Sequence, residues 1–490
     1  MKEKIQALFD KEDGQTKMAL DLVEPGDDSD RYGRGERVTK TLPSGITSRM
    51  LYNDIVRIAW PSFVELTLTQ LASMVDLMMV GSLGPWAISS VGLTMQPKFL
   101  MMTAFIAMNV GATALIARAK GQDKPERANT VLNQAMFLTF ILSLSSAIIG
   151  YVLAEPMVRF MGAADAQTLE GGTVYLKIQM LGFVPLALTS TITAALRGIG
   201  DSKTAMKYNL ISNVVNVVFN YLLIFGHFGF PRMEVAGASL ATIIGQVVAF
   251  ILAIRVITTK GGYLYLSYKG GFKLQKKYLL RIINIGIPAM VEQLVMRAGI
   301  ILYARTVASL GTLAFATHQV CMNITALSFM NGQAFAVSAT SLMGQSLGKK
   351  RPDMAQAYSR RTRRLGMYVS IFLGIIFFVF GKPIIALYTD DMQVISQGAE
   401  ILKVVALIQP LQSSQFILAG ALRGAGDTRA IAIVTFITIL LIRPGLASFS
   451  IRVLGWGLMG AWLAYAADQL VRTLLIFMRF NSGKWKEIRV

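Results

Sequence analysis

Hydrophobic residues run through this chain in blocks of about twenty, separated by short polar stretches, from about residue 50 onward. A block of that length lets a helix cross the hydrocarbon core of a bilayer. The pattern predicts about twelve helical spans. Six centre near Glu65, Phe105, Phe140, Leu181, Val217 and Val247, and six more near Val295, Leu327, Ile371, Leu407, Ile437 and Tyr465. Strand readings fail, because the blocks lack the in–out alternation of a membrane barrel. The expected fold class is an all-α polytopic membrane protein.

The blocks come as two copies. Pro61, Glu65, Val80, Ser82, Leu83 and Gly84 recur as Pro288, Glu292, Val307, Ser309, Leu310 and Gly311, shifted by about 227 positions. Ala195-Leu196-Arg197-Gly198-Ile199-Gly200-Asp201 returns as Ala421-Leu422-Arg423-Gly424-Ala425-Gly426-Asp427, and Gly237-Ala238 as Gly460-Ala461. With six spans per copy, the second enters the membrane in the same sense as the first. The two six-helix lobes are then expected to be related by a pseudo-twofold axis along the membrane normal. The expected boundaries are a polar tail over 1–48, a first lobe over 49–256, a basic linker over 257–279, a second lobe over 280–482 and a short tail over 483–490.

Charge adds an orientation. The chain holds 48 Lys and Arg against 28 Asp and Glu, a net charge of +20. A nucleic-acid partner is not expected, because the bases cluster in the segments after even-numbered spans and so act as topology signals. Lys120, Lys124 and Arg127 follow the second span, and Lys349, Lys350 and Arg351 the eighth. The alternate segments hold little beyond Lys98, Arg159, Arg232, Lys382, Arg443 and Arg452. This predicts cytoplasmic termini in a plasma membrane, with no cleavable signal and a flexible leading tail. One cysteine, Cys321, and two distant histidines, His227 and His318, offer neither a disulfide nor a metal site.

Ionisable groups inside spans are costly and mark function. Glu65 and Asp76 lie about three helical turns apart on one face of the first span. Pro61 and Pro288 are candidate kinks. Counting turns from the ends of the fifth and sixth spans brings Asn216, Asn220 and Thr242 near the depth of Asp76. One carboxylate among neutral oxygens suits a proton or a small cation such as sodium. The proton is favoured, because Asn220 supplies no second carboxylate and no cationic neighbour is expected beside Asp76. The second copy does not repeat this cluster, since Tyr303 and Tyr465 stand at the positions of Asp76 and Thr242. Glu292 matches Glu65, and the duplicated pair could fix helix contacts or touch substrate. Arg297 is an unusual charge in the seventh span, expected to neutralise an acid such as Glu292 or to reach the interface. Methionines such as Met78 and Met296 suit an adaptable apolar surface.

These motifs resemble the multidrug and toxic compound extrusion (MATE) family, within the multidrug/oligosaccharidyl-lipid/polysaccharide exporter superfamily. The carriers are Pro61, Glu65, Val75-Asp76 and Val80-Gly81-Ser82-Leu83-Gly84, the repeated Leu-Arg-Gly-x-Gly-Asp, Asn216-x-x-x-Asn220, and Gly237-Ala238-Ser239-Leu240-Ala241-Thr242. The resemblance covers about residues 50 to 482. It implies two lobes around a central cleft and export of organic, often cationic, compounds against inward sodium or protons. It implies that Asp76 drives the cycle with Asn216, Asn220 and Thr242 beside it, and that Pro61 is the bend. Asn220 stands where one branch often has aspartate. The acidic carboxy-lobe site of another branch falls near Met296 and Gln412 and looks absent here.

The expected function is an ion-coupled antiporter working by alternating access, without a cofactor, acting as a monomer on small organic substrates. Glu65, Met78, Glu292, Met296 and Gln412 are candidates to line the substrate cleft. A flippase for lipid-linked saccharides is the alternative, with Arg297 and Arg305 as its cleft cations. A membrane-embedded enzyme is a further alternative that finds no nucleophile with its base.

Overall fold

The computed structural model describes residues 18–24, 42–43, 45–163, 165–259, 261–266 and 274–488. Regular structure among these residues is helical, with no strand. The first half comprises α1 (Ser48–Gly81), α2 (Pro85–Gly121), α3 (Pro125–Val152), the short α4 (Ala154–Phe160), α5 (Ala166–Leu181), α6 (Phe183–Gly198), α7 (Ser202–Phe225) and α8 (Glu234–Thr258). The second comprises α9 (Lys276–Ala308), α10 (Thr312–Gly348), α11 (Pro352–Ala386), α12 (Met392–Ala425), α13 (Thr428–Thr435), α14 (Arg443–Arg452) and α15 (Gly457–Asn481). A π-helical stretch, Phe436–Ile442, joins α13 to α14 within one span.

Ten helices among the described residues are long and apolar enough to cross a bilayer, and the α5–α6 pair, bent by 52°, makes an eleventh. The fourth predicted span, centred on Leu181, therefore straddles that bend. α15 has 25 residues, enough to span, but carries Asp468 and Arg472 in its apolar run. Asp165 caps α5 by accepting the Thr168 amide and hydroxyl at 2.7 and 2.8 Å. Those bonds hold its carboxyl below the usual carboxylate range. Of the expected tails and linker, residues 1–17, 25–41, 44, 260, 267–273 and 489–490 lie outside the described residues.

The repeated Leu-Arg-Gly-x-Gly-Asp has a local physical reason. Gly200 and Gly426 both adopt φ of +89°, which favours glycine, and each ends one helix. Asp201 then caps α7 by accepting the Thr204 amide at 3.1 Å. Asp427 stands at the same place before α13 but is paired with Arg479 at 2.7 Å. Pro61 and Pro288 lie inside α1 and α9, and both helices run on through them. Each proline removes one backbone donor from its ladder.

The lobes meet along α1, α2, α9 and α10, near the membrane face where α2 and α10 end. We call this the basic face, because Arg118, Lys120, Lys349 and Lys350 gather there. Small residues permit the approach: a Cβ on Gly344 would lie 2.6 Å from the Ala117 methyl, and one on Gly286 2.6 Å from the Met108 methyl. Ser341 and Gln345 of α10 donate to the Gly198 carbonyl of the other lobe at 3.1 and 3.0 Å. Ser338 donates to the Ile55 carbonyl at 3.2 Å. The molecule is thus closed at the basic face.

Both described tail segments dock on this face, so the expected flexibility of the leading tail does not hold at residues 18–24. Ala19, Leu20 and Val23 are buried against Leu51, Ile55 and Ile58 of α1 and against Leu342, Met354 and Tyr358 of the other lobe. At the far end, Trp485 is fully buried and stacks on Phe480, and the Ile488 carbonyl accepts from Arg118 at 3.0 Å.

Candidate functional site

Asp76 projects from α1 toward α7 and α8. The Asn220 amide donates to its Oδ1. With the Asn216 amide turned to satisfy both ends, its Nδ2 donates to the two Asp76 oxygens at 3.0 and 3.1 Å, and its Oδ1 accepts the Thr242 amide at 3.2 Å. The Thr242 hydroxyl donates to the Ala238 carbonyl at 3.0 Å, one turn back. Asn220 is fully buried, and its Oδ1 has no partner. The structure therefore brings together the four residues grouped by turn counting. The amides present N–H groups to the carboxylate, so this is an anion held by donors and not a cage of oxygens.

Lys98 was counted in the sequence as a charge between spans. It lies inside α2, close enough to Asp76 for the two charges to interact. Its Nζ donates to Gln179 Oε1 of α5 at 2.7 Å, and Gln179 donates to the Ser239 carbonyl of α8 at 3.3 Å. The expectation that Asp76 lacks a cationic neighbour is overturned. Lys98 sits next to Pro97 in an apolar run, and an internal lysine was the available signal.

The duplicated glutamates are paired. Glu65 accepts from Arg197 at 2.8 Å and from Asn209 at 2.6 Å, and Glu292 accepts from Arg423 at 2.5 Å. Each arginine comes from a copy of Leu-Arg-Gly, so the two repeated motifs are the two ends of one repeated ion pair. Oε2 of each glutamate is buried without a partner. Breaking a buried pair by removing one partner costs about 3–5 kcal/mol. Arg423→Ala should accordingly lower the melting temperature in detergent, and adding Glu292→Gln should recover much of the loss. Equal melting of Arg423→Ala and wild type would refute a structural role.

Arg297 does not neutralise Glu292. Its guanidinium lies 4.4 Å from the centre of the Phe99 ring, across the lobe boundary. Of the other cleft candidates, Met78 is exposed and Met296 half-buried. Gln412 is buried inside the second lobe, donating to the Tyr465 hydroxyl at 3.0 Å.

Sequence reading missed the centre of the second lobe. By the repeat shift Asp76 and Thr242 map to Tyr303 and Tyr465. Arg443, also counted as a charge between spans, is buried between Tyr303 and Tyr465, 5.7 and 4.6 Å from the ring centres. It and Arg472 bind Asp468, at 2.5 and 2.6 Å. The π-helical turn shapes this site. Pro444 has no N–H to donate, and the Arg443 amide reaches back five residues to the Thr438 carbonyl. Where the first lobe holds an acid, the second holds its own fixed cation. No cluster of three or more His, Cys, Asp or Glu that could hold a metal occurs among the described residues.

The MatE family model matches residues 61–222 and 288–447, one stretch in each lobe. The chain belongs to the MatE family. Among its relatives, a protein of Thermotoga maritima described as a probable multidrug resistance protein NorM is 29% identical over 434 residues, 89% of this chain and 93% of that one. The uncharacterized transporter YisQ of Bacillus subtilis is 28% identical over 428 residues, 87% and 94% of the two chains. Among solved structures, MATE in the straight conformation superposes with a TM-score of 0.83 at 21% identity, covering 89% of this chain and 97% of that one. An outward-facing multidrug resistance MATE family transporter of the MOP superfamily gives 0.82 at 22%, with the same coverage. At that identity the likeness concerns the fold, two six-helix lobes.

Proposed function

We propose that this MatE protein is an antiporter that exports organic, cationic compounds by alternating access, driven by protons in preference to sodium. The observation that carries the reading is Asp76, an intramembrane carboxylate held by Asn216 and Asn220 with Lys98 nearby. A proton on Asp76 removes the charge that these donors hold and loosens α1 from α7. That links ion arrival to a change in helix contacts, which coupling requires. Sodium is disfavoured because its oxygen ligands would have to be made by turning both amides, whereas the Lys98 charge opposes sodium and proton alike. The names of the relatives, multidrug resistance proteins, support export of organic compounds, and the cationic class is proposed from the charge of Asp76. The orientation follows from the basic face, which by the positive-inside rule is cytoplasmic in a plasma membrane. Each chain holds both lobes, so a monomer suffices.

Efflux of a fluorescent organic cation from proteoliposomes under separate gradients tests this. An inward proton gradient alone should drive export. Export driven by inward sodium alone, with pH clamped and protonophore present, would overturn the proton reading. Asn220→Asp adds a second carboxylate and should raise any sodium dependence.

A further inference from the structure

From a cavity on the outer surface of the second lobe, we infer a binding site for the headgroup of an anionic phospholipid. The cavity holds about 400 Å³ at the basic end of α11, against the last turns of α15. Arg360, Arg363 and Arg364 line it together with the apolar Met367, Ile371 and Phe477. The Arg363 guanidinium lies 4.9 Å from the centre of the Phe477 ring, which fixes that donor on the cavity wall. None of the three arginines is paired with a carboxylate among the described residues. Three such forks at one spot match the oxygens of a phosphodiester.

The apolar part of the ligand is fixed by the same helix. Arg360, Arg364, Ile371 and Ile375 share one face of α11. Past the arginines that side stays exposed and apolar, with Tyr368, Phe372 and Ile375 more than half uncovered. From Arg364 to Ile375 the helix rises about 16 Å, roughly half of a bilayer's hydrocarbon thickness. A ligand with a negative head and an acyl chain along this strip satisfies both parts of the cavity, whereas free phosphate satisfies only the first.

Native mass spectrometry of the full chain, released from micelles doped with equal phosphatidylglycerol and phosphatidylcholine, tests the site. Wild type should retain phosphatidylglycerol in excess. Arg360→Gln/Arg364→Gln should lower the bound fraction severalfold. Lys124→Gln/Arg127→Gln, the same change of charge at the other lobe, should leave it near the wild-type level. Equal loss in the two double variants would reduce the effect to diffuse attraction and overturn the site. Displacement of the lipid by millimolar inorganic phosphate would assign the pocket to free phosphate and overturn the lipid. If the Arg-to-Gln pair does not fold, Ile375→Asp, which spoils the acyl strip outside the cavity, should show the same loss.

A separate observation carries a second inference: residues 18–23 form a strap that holds the basic face shut. They are clasped by both lobes at once. The Ala19 amide donates to Asp54 of α1 at 2.9 Å, and the Tyr358 hydroxyl of α11 donates to the same oxygen at 2.7 Å. Lys349, just past α10, donates to the Leu20 and Val23 carbonyls at 2.9 and 3.1 Å. Leu20 is buried between α1 and the second lobe. Parting the lobes at this face must therefore pull the segment from one of its two walls.

The reporter is a cysteine at Ser341, a buried residue that bonds across the lobe boundary, labelled with an impermeant thiol reagent from the basic face. Cys321 is fully buried and should stay silent. Leu20→Asp, or deletion of residues 2–24, should speed labelling severalfold, and deletion of residues 2–17 should not. Lys349→Met tests the same clasp if the first variants fail to fold. Unchanged labelling in Leu20→Asp and Lys349→Met would overturn the strap.

Discussion

Asp76→Asn is expected to lower gradient-driven export at least tenfold, about 1.4 kcal/mol or more of lost coupling, while leaving the protein folded. Asn has nearly the shape of Asp, so Asn216 and Asn220 keep a partner of similar size. What disappears is the group that can exchange a proton. The variant should still bind its organic substrate and exchange it down a concentration gradient, because the lobes themselves are untouched. Glu292→Gln should have a smaller effect on coupled export, since Glu292 is committed to Arg423 and the second lobe offers Tyr303 where Asp76 stands in the first. Flux assays in liposomes, normalised to reconstituted protein, separate the two. Equal loss of coupled export in both variants would mean that the lobes share the coupling chemistry. Lys98→Met is the informative companion. It should change the ion concentration at half-maximal export with less effect on the maximal rate.

Asp468→Asn is expected to have the largest structural effect of any single substitution considered. Asp468 is fully buried and is the shared carboxylate of Arg443 and Arg472, both nearly buried. Removing its charge leaves two guanidiniums inside the lobe with no counter-charge. One-sided loss of a buried pair costs about 3–5 kcal/mol, and here two cations are stranded. The outcome should be a sharp fall in melting temperature or in recovered folded protein, read by scanning fluorimetry and size-exclusion profiles. Asp468→Glu should retain much of the stability. Wild-type melting of Asp468→Asn would show that the triad is not a structural centre.

These two results bear on how the halves divide their work. The first lobe holds an acid among amides with Lys98 near it, and the second an arginine already neutralised by its own aspartate. A group that must gain and lose an ion cannot also be locked by two permanent cations. Under the proposed mechanism, the first lobe carries the group that titrates and the second stays fixed.

Much of this was legible in the sequence because it depends on local or periodic properties. Span length and apolarity follow from bilayer thickness, which is the same for every helix. The duplication fixed six spans per lobe and paired Glu65 with Glu292. Turn counting along α1, α7 and α8 brought Asp76, Asn216, Asn220 and Thr242 to one depth, since helix rise is constant. Tertiary structure alone decided which face of each helix meets which neighbour. Lys98 and Arg443 look like charges between spans in a linear reading, because helix ends within apolar sequence leave no mark. The bend at Gly182 and the π-turn before Pro444 shift register in ways that no uniform period contains. The partners of Glu65 and Glu292 lie more than a hundred residues away in sequence, so only packing reveals that Arg197 and Arg423 complete them. The direction of the Asn216 and Asn220 amides, which makes the site a held carboxylate and not an oxygen cage, is set by their contacts in three dimensions and has no signature in the chain.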